Sequence, residues 1–194
     1  MAVSWTRHRF SGGTLALDAT NTVVHRGDAL RSFDRFGDPA EIPRFAAAAR
    51  GFRAAELAHR DLAVRDPVAI HGTVLAIREA TDALFRATVR NDQLDQAALP
   101  RFLRACADGL EGNSEAGGDP AIRFEAALAT SALSLLAEHS YRRIRICPNC
   151  NWLFLDKSRN GSRLWCDMAV CGNRQKAKRH YRRRKAVDED QSHV

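Results

Sequence analysis

The chain has 194 residues, 45% hydrophobic and 27% charged, enough for one domain with a sizeable core or a medium domain joined to a small one. No stretch approaches the apolar length of a membrane helix, so no helical span is expected. The net charge of +7 is unevenly placed: residues 1–140 carry 16 Arg, no Lys and 18 acids, whereas residues 141–187 carry 14 Lys or Arg against two acids, Asp156 and Asp167. That asymmetry predicts a near-neutral body bearing a basic module that meets a polyanion. The opening residues "MAVSWTRHRFSGG" lack the apolar run of a secretory signal, and a cytoplasmic protein is expected.

In chain order, "TLALDATNTVV" alternates apolar and small polar residues and predicts a short strand followed by a turn. "HRGDALRSFDRFGDP" predicts a loop broken by Gly27, Gly37 and Pro39. "IPRFAAAARG" predicts a helix stopping at Gly51. "RAAELAHRDLAV" sets Ala54, Leu57, Ala58 and Leu62 on one helical stripe, and Asp66-Pro67 interrupts it. Residues 67–91 place Ile70, Val74, Ile77, Ala80, Thr81, Leu84 and Val89 at helical spacing. Residues 95–109 form another such segment, ending at Gly109 and carrying Cys106 as a small buried hydrophobe. Residues 119–139 form the last, with Asp119 capping and Pro120 in the first turn.

At Tyr141 the composition changes. Ile144 and Ile146 alternate with Arg and Trp152 to Leu155 is aromatic and aliphatic, which predicts strands; Asn160-Gly161 has turn chemistry, and the fifteen residues after Cys150 are long enough for one β-hairpin. Cys147 and Cys150 form a C-x2-C pair, and fifteen residues later Cys166 and Cys171 form C-x4-C. Such pairs can close a tetrahedral zinc site, and four thiolates leave no open position for catalysis. Disulfides and an iron site use the same residues; the basic surroundings favour redox-silent zinc. Trp152, Phe154, Leu155 and Trp165 are expected to form a small core around the metal, base stacking being their other use. A module of about 45 residues buries little, so zinc is expected to supply much of its folding free energy.

"GNRQKAKRHYRRRK" predicts a helix over 171–186. Arg174, Lys178, Arg182 and Lys185 share one face with Tyr181, and Lys176, Arg179 and Arg183 extend the charge sideways. A solvated tail is the bland alternative; a helix starting on a metal ligand suits a DNA groove better, with Lys and Arg on phosphates. Asp188, Glu189 and Asp190 then begin an acidic tail over 188–194, expected to be disordered.

The elements W-x-F-x-D-x-S-R-N at 152–160, R-x-W-C-x-M at 163–168 and Cys-Gly-Asn-Arg at 171–174 closely resemble the CGNR zinc finger of bacterial proteins. "LALDATNTVVHRG" is similar to the start of the helical ABATE domain that usually precedes that finger, with Ala19 where a large apolar residue is more common. The resemblance implies a transcription regulator, related to stress responses, whose finger binds duplex DNA and whose N-terminal part senses a small-molecule effector or forms a homodimer. On that view Asp18, Asn21 and Thr22 are candidates to line a ligand pocket, a turn or cap being the alternative.

The expected fold is therefore mainly α: a helical bundle with a short strand element over 1–140, then a treble-clef-like or zinc-ribbon module, β-hairpin plus basic helix, over 141–187. RNA binding by the same module is the alternative function. His25, His59, His71 and His139 lack metal-pair or triad spacing, so an enzyme is not expected.

Overall fold

The computed structural model describes residues 3–111 and 121–191, with side chains through residue 184. The protein is mainly helical, with three two-stranded pairings at its margins. Asp119 and Pro120, the expected cap of the last bundle helix, lie outside the described residues.

The segment expected as a strand is instead helix α1, Leu15–Thr20, and only Val23–Val24 (β1) is extended, paired with Phe33–Asp34 (β2). All six α1 residues are buried. A helix covered on every side has no polar stripe, so its sequence shows no 3.6-residue period and mimics alternation. Six residues do not form a helix alone; this one is held by its neighbours. Its first amides donate to the Glu56 carboxylate (from Leu15, 3.0 Å), the Ser131 hydroxyl (from Ala16, 2.9 Å) and the Thr14 hydroxyl (from Leu17, 3.3 Å). Gly12, just before it, has no room for a side chain: a Cβ there would lie 2.8 Å from the Leu17 carbonyl carbon and 2.9 Å from the Asp18 nitrogen.

Helix α2, Glu41–Phe52, passes one residue beyond the expected stop at Gly51. The stripe predicted from Ala54 to Leu62 is not a helix but a series of turns, because Ala58 and His59 have φ of 49° and 59°, which no right-handed helix accommodates. It ends in β3, Leu62–Ala63, parallel to β4, Ile122–Arg123. Asp66 then starts helix α3, Pro67–Asn91, by accepting from the Val68 and Ala69 amides (2.9 and 3.0 Å) above a first-turn proline. Helices α4 (Leu99–Leu110) and α5 (Phe124–Ala137) complete the bundle. Gly109, expected to end α4, instead lets it approach α3 and α5: a Cβ there would meet Ile77 Cδ1 at 2.6 Å and the Glu125 carbonyl at 3.1 Å. Phe45 centres the aromatic core, with ring centroids of Trp5, Phe10, Phe36 and Phe124 5.0–5.9 Å away.

Near residue 140 the chain passes through a single 3-10 turn, Ser140–Arg143, directly into β5 (Ile144–Ile146), which pairs antiparallel with β6 (Leu153–Leu155). Alternation along this hairpin serves two clusters. Ile144, Leu153 and Leu155 join the helical core, whereas Trp152 and Phe154 pack with the cysteines and Trp165. Leu155 thus leaves the group expected around the metal, because residues 153 and 155 share the face opposite 152 and 154. Asn21 fastens the hairpin to α1: its amide donates to the Leu153 carbonyl (2.8 Å) and accepts from the Leu153 amide (3.0 Å). The Leu155 amide donates to the Gly12 carbonyl (2.7 Å), and Arg86 of α3 donates to the Asn151 carbonyl and side chain (3.0 and 3.1 Å).

Replacing Asn21 with Ala strips two buried Leu153 groups of their partners, each costing roughly 1–3 kcal/mol. The Asn21→Ala protein is expected to unfold at clearly lower denaturant, by about 2–6 kcal/mol in total, with unchanged m-value in chemical denaturation.

Candidate metal centre and basic helix

Cys147 closes β5, and the chain then makes a tight knuckle. The Asn151 amide donates to the Cys147 carbonyl (2.8 Å) and the Cys147 amide to the Trp152 carbonyl (2.9 Å). Asn151 takes the left-handed conformation at the turn (φ 62°), which asparagine tolerates. Its side-chain amide donates to the Arg26 carbonyl at 2.8 Å.

After β6, Asp156 organises the loop that returns to the second cysteine pair. Its carboxylate accepts from the Ser158 and Arg163 amides, both at 2.9 Å. Arg163 spans the same loop, donating to the Trp165 carbonyl (2.8 Å) and the Cys166 carbonyl, with its guanidinium 5.1 Å from the Phe154 ring centre. Asp167 caps the π-helical turn Met168–Gly172 by accepting from the Ala169 amide (2.8 Å), which brings Cys171 back onto Cys166.

The four cysteine sulfurs lie within 4.8 Å of one another, with Cys150 to Cys166 at 3.5 Å and Cys166 to Cys171 at 3.6 Å. A disulfide needs about 2.05 Å. The edge of a ZnS4 tetrahedron built on 2.3 Å bonds is about 3.8 Å. All four cysteines are free; Cys147, Cys166 and Cys171 are buried and Cys150 partly so. Hydrogen bonds from Cys150 and Cys166 pull the Cys147 thiol down, and the same bonds to Cys147 hold those two thiols up. Without a cation the cluster resists full ionisation, whereas a divalent ion draws all four into the thiolate form. The donor set fits one structural zinc ion.

From this centre helix α6 runs over Asn173–Gln191, starting two residues after Cys171 and continuing past the expected stop at 186 into the segment expected to be disordered. Arg174, Lys176, Lys178, Arg179, Arg182 and Arg183 are exposed, and none has an ion-pair partner among the described residues. The backbone of α6 includes Lys185, whose side chain lies outside the described residues. Lys178, Arg179, Arg182 and Arg183 line one cleft of about 430 Å³ together with Gln175 and Trp165. The Gln175 amide donates to Asn149 Oδ1 at 2.7 Å, fixing the helix against the knuckle. Arg174 lies apart from this cleft, beside Arg9, whose pKa is lowered first by burial and then by Arg174.

The candidate pocket residues Asp18, Asn21 and Thr22 are buried, and their polar groups are consumed inside the fold. Asp18 accepts from the Gly12 amide (2.8 Å) and from Arg53 (2.6 Å); burial raises its carboxyl to about 7 against the pull of Arg53. Thr22 donates to the Ala19 carbonyl (2.7 Å) and accepts from Arg78 (3.1 Å). With Asn21 bound to Leu153, the trio has the arrangement of structural polar residues, not of a ligand pocket. Sequence reasoning missed the partners: Arg53, Arg78 and Arg86 lie among apolar residues of their segments, and a charge at such positions was the signal available.

The fold and the sulfur cluster together define a helical protein carrying a four-cysteine zinc finger. Residues 143–184 match the family model of the CGNR zinc finger. No curated protein and no solved structure matches the chain. Among the described residues no helix is long and apolar enough to cross a membrane.

The purified protein is expected to hold about one zinc per chain. After chelation, alkylation followed by mass spectrometry should count four new labelled cysteines and leave Cys106 untouched, since it is 1% exposed and burial pushes its thiol up to about 12. Chelation should release the 166–191 segment, while the hairpin, seated in the helical core through Ile144, Leu153 and Leu155, keeps its amide-exchange protection.

Proposed function

We propose that this protein is a zinc-dependent nucleic-acid-binding protein, acting on duplex DNA as a transcription regulator in the cytoplasm of a bacterium. The observation that carries the reading is the basic cleft of Lys178, Arg179, Arg182 and Arg183, none of them ion-paired among the described residues, on a helix that starts two residues after a metal ligand. Cations without carboxylate partners keep their charge for phosphates, and each phosphate neutralised releases counterions. A metal at the helix start removes the ordering cost that a free basic tail meets on binding. The CGNR match supports nucleic acid as the partner class.

The helical body over residues 1–140 is read as an ABATE-type domain that senses an effector or pairs two chains on paired half-sites. It acts by binding, not catalysis. RNA is the second reading, favoured by one feature: Trp165 lines the basic cleft and is positioned beside its cations, as a stacking side chain would be.

Arg182→Ala is expected to weaken duplex binding at every salt concentration and to lower the slope of log K against log salt by about 1. An Arg182→Ala protein that binds duplex as tightly as wild type at low salt overturns the assignment of α6. Competition between equal lengths of duplex DNA and structured RNA separates the two readings.

A further inference from the structure

Three buried side-chain polar atoms among the described residues have no hydrogen-bond partner: Arg9 Nε, Ser11 Oγ and Trp152 Nε1. All three belong to the place where the N-terminal turn Arg7–Phe10 meets the zinc module, with the His8 ring stacked on Trp152 at 5.1 Å. Arg35 joins them from the loop between β2 and α2. It is 6% exposed, and its guanidinium lies 5.6 Å from the Trp152 ring centre. Among the described residues its side chain makes one hydrogen bond, a long one of 3.4 Å to the Asn21 carbonyl.

The contrast with the other buried arginines is sharp. Arg78 and Arg86 each hold an aspartate, Asp34 at 2.6 Å and Asp82 at 2.7 Å. Arg9 and Arg35 hold no carboxylate among the described residues. Burial lowers the pKa of both, and a like charge adds to it: Arg174 for Arg9, and Arg9 for Arg35. An unpaired buried cation is costly, and a row of three is stable when the members share an anion.

We propose that Arg9, Arg35, Arg174 and the Trp152 indole N–H form a binding site for a phosphate-type oxyanion at the seam between the N-terminal turn and the zinc module. Guanidinium forks match such an anion with paired N–H donors, and the indole adds a single donor. Arg35 is buried, Arg9 half-buried and Arg174 exposed, so the charge leads from the interior to the surface beside the first turn of α6. The site is separate from the Trp165 cleft, and the inference does not rest on the nucleic-acid reading. The phosphate group comes either from a nucleic-acid backbone or from a free phosphate-bearing small molecule.

The test titrates zinc-loaded full-length protein with inorganic phosphate at constant ionic strength, with chloride as the control, by calorimetry and thermal melting. Phosphate is expected to bind and to raise the melting temperature. Arg35→Met, which keeps the stem over the Trp152 ring, and Arg9→Ala, at a half-buried side chain without a hydrogen bond, should each weaken phosphate binding by about tenfold or more. Arg35→Met should also melt higher than wild type when phosphate is absent, because a buried unpaired charge is gone. In a second arm, Arg9→Ala is measured on duplex DNA. A salt slope lower by about 1 assigns the phosphate to the nucleic-acid backbone, with or without binding of the free ion; phosphate binding that the variants lose, with an unchanged slope, assigns it to a small molecule. Phosphate without effect combined with an unchanged slope overturns the site, as do variants that bind phosphate like wild type and leave the slope unchanged.

Discussion

Four cysteine sulfurs converge within 4.8 Å of one another, and much of the C-terminal third depends on that convergence. Thiolates so close repel strongly in a partly buried setting; a divalent cation turns the repulsion into four bonds. The surrounding loops are shaped to meet this demand. Asp156 and Arg163 fold the return path of the chain, Asp167 tightens the turn before Cys171, and Gln175 pins the emerging helix to the knuckle. The direction of α6, and with it the placing of every exposed arginine on it, follows from where the fourth sulfur must sit.

The hairpin β5–β6 is a party wall. One face supplies Ile144, Leu153 and Leu155 to the helical body, and the other supplies Trp152 and Phe154 to the metal cluster. Its backbone is also claimed from the helical side, by Asn21, Gly12 and Arg86. A small zinc module normally draws on its metal for nearly all its stability. Here the half of the module that carries the first cysteine pair is supported by a core of ordinary apolar packing, and the half that carries the second pair is not.

What could be read from the sequence was what has local cause. The C-x2-C and C-x4-C pairs name the metal site by spacing alone, and α3 keeps a regular apolar stripe from Ile70 to Val89, so its limits 67–91 are legible. Charge counts find α6. What escaped has its cause elsewhere in the chain. Helix α1 has no stripe because it has no exposed side. The turns after Arg53 depend on positive φ at Ala58 and His59, and an alanine gives no signal for it. Asp18, Asn21 and Thr22 look like pocket residues until their partners Arg53, Leu153 and Arg78 arrive from distant segments.

Asn21 and Leu153 are 132 positions apart. On a ribosome adding about 5–20 residues each second, the nascent chain exposes α1 long before its hairpin partner exists. Glu56 and Ser131, which satisfy the first amides of α1, also follow it, the latter by more than a hundred residues. This fully buried helix is therefore translated well before the residues that complete it. During synthesis, Leu15–Thr20 remains an apolar segment awaiting the hairpin, whose arrival joins Gly12 and Asn21 to Leu155 and Leu153.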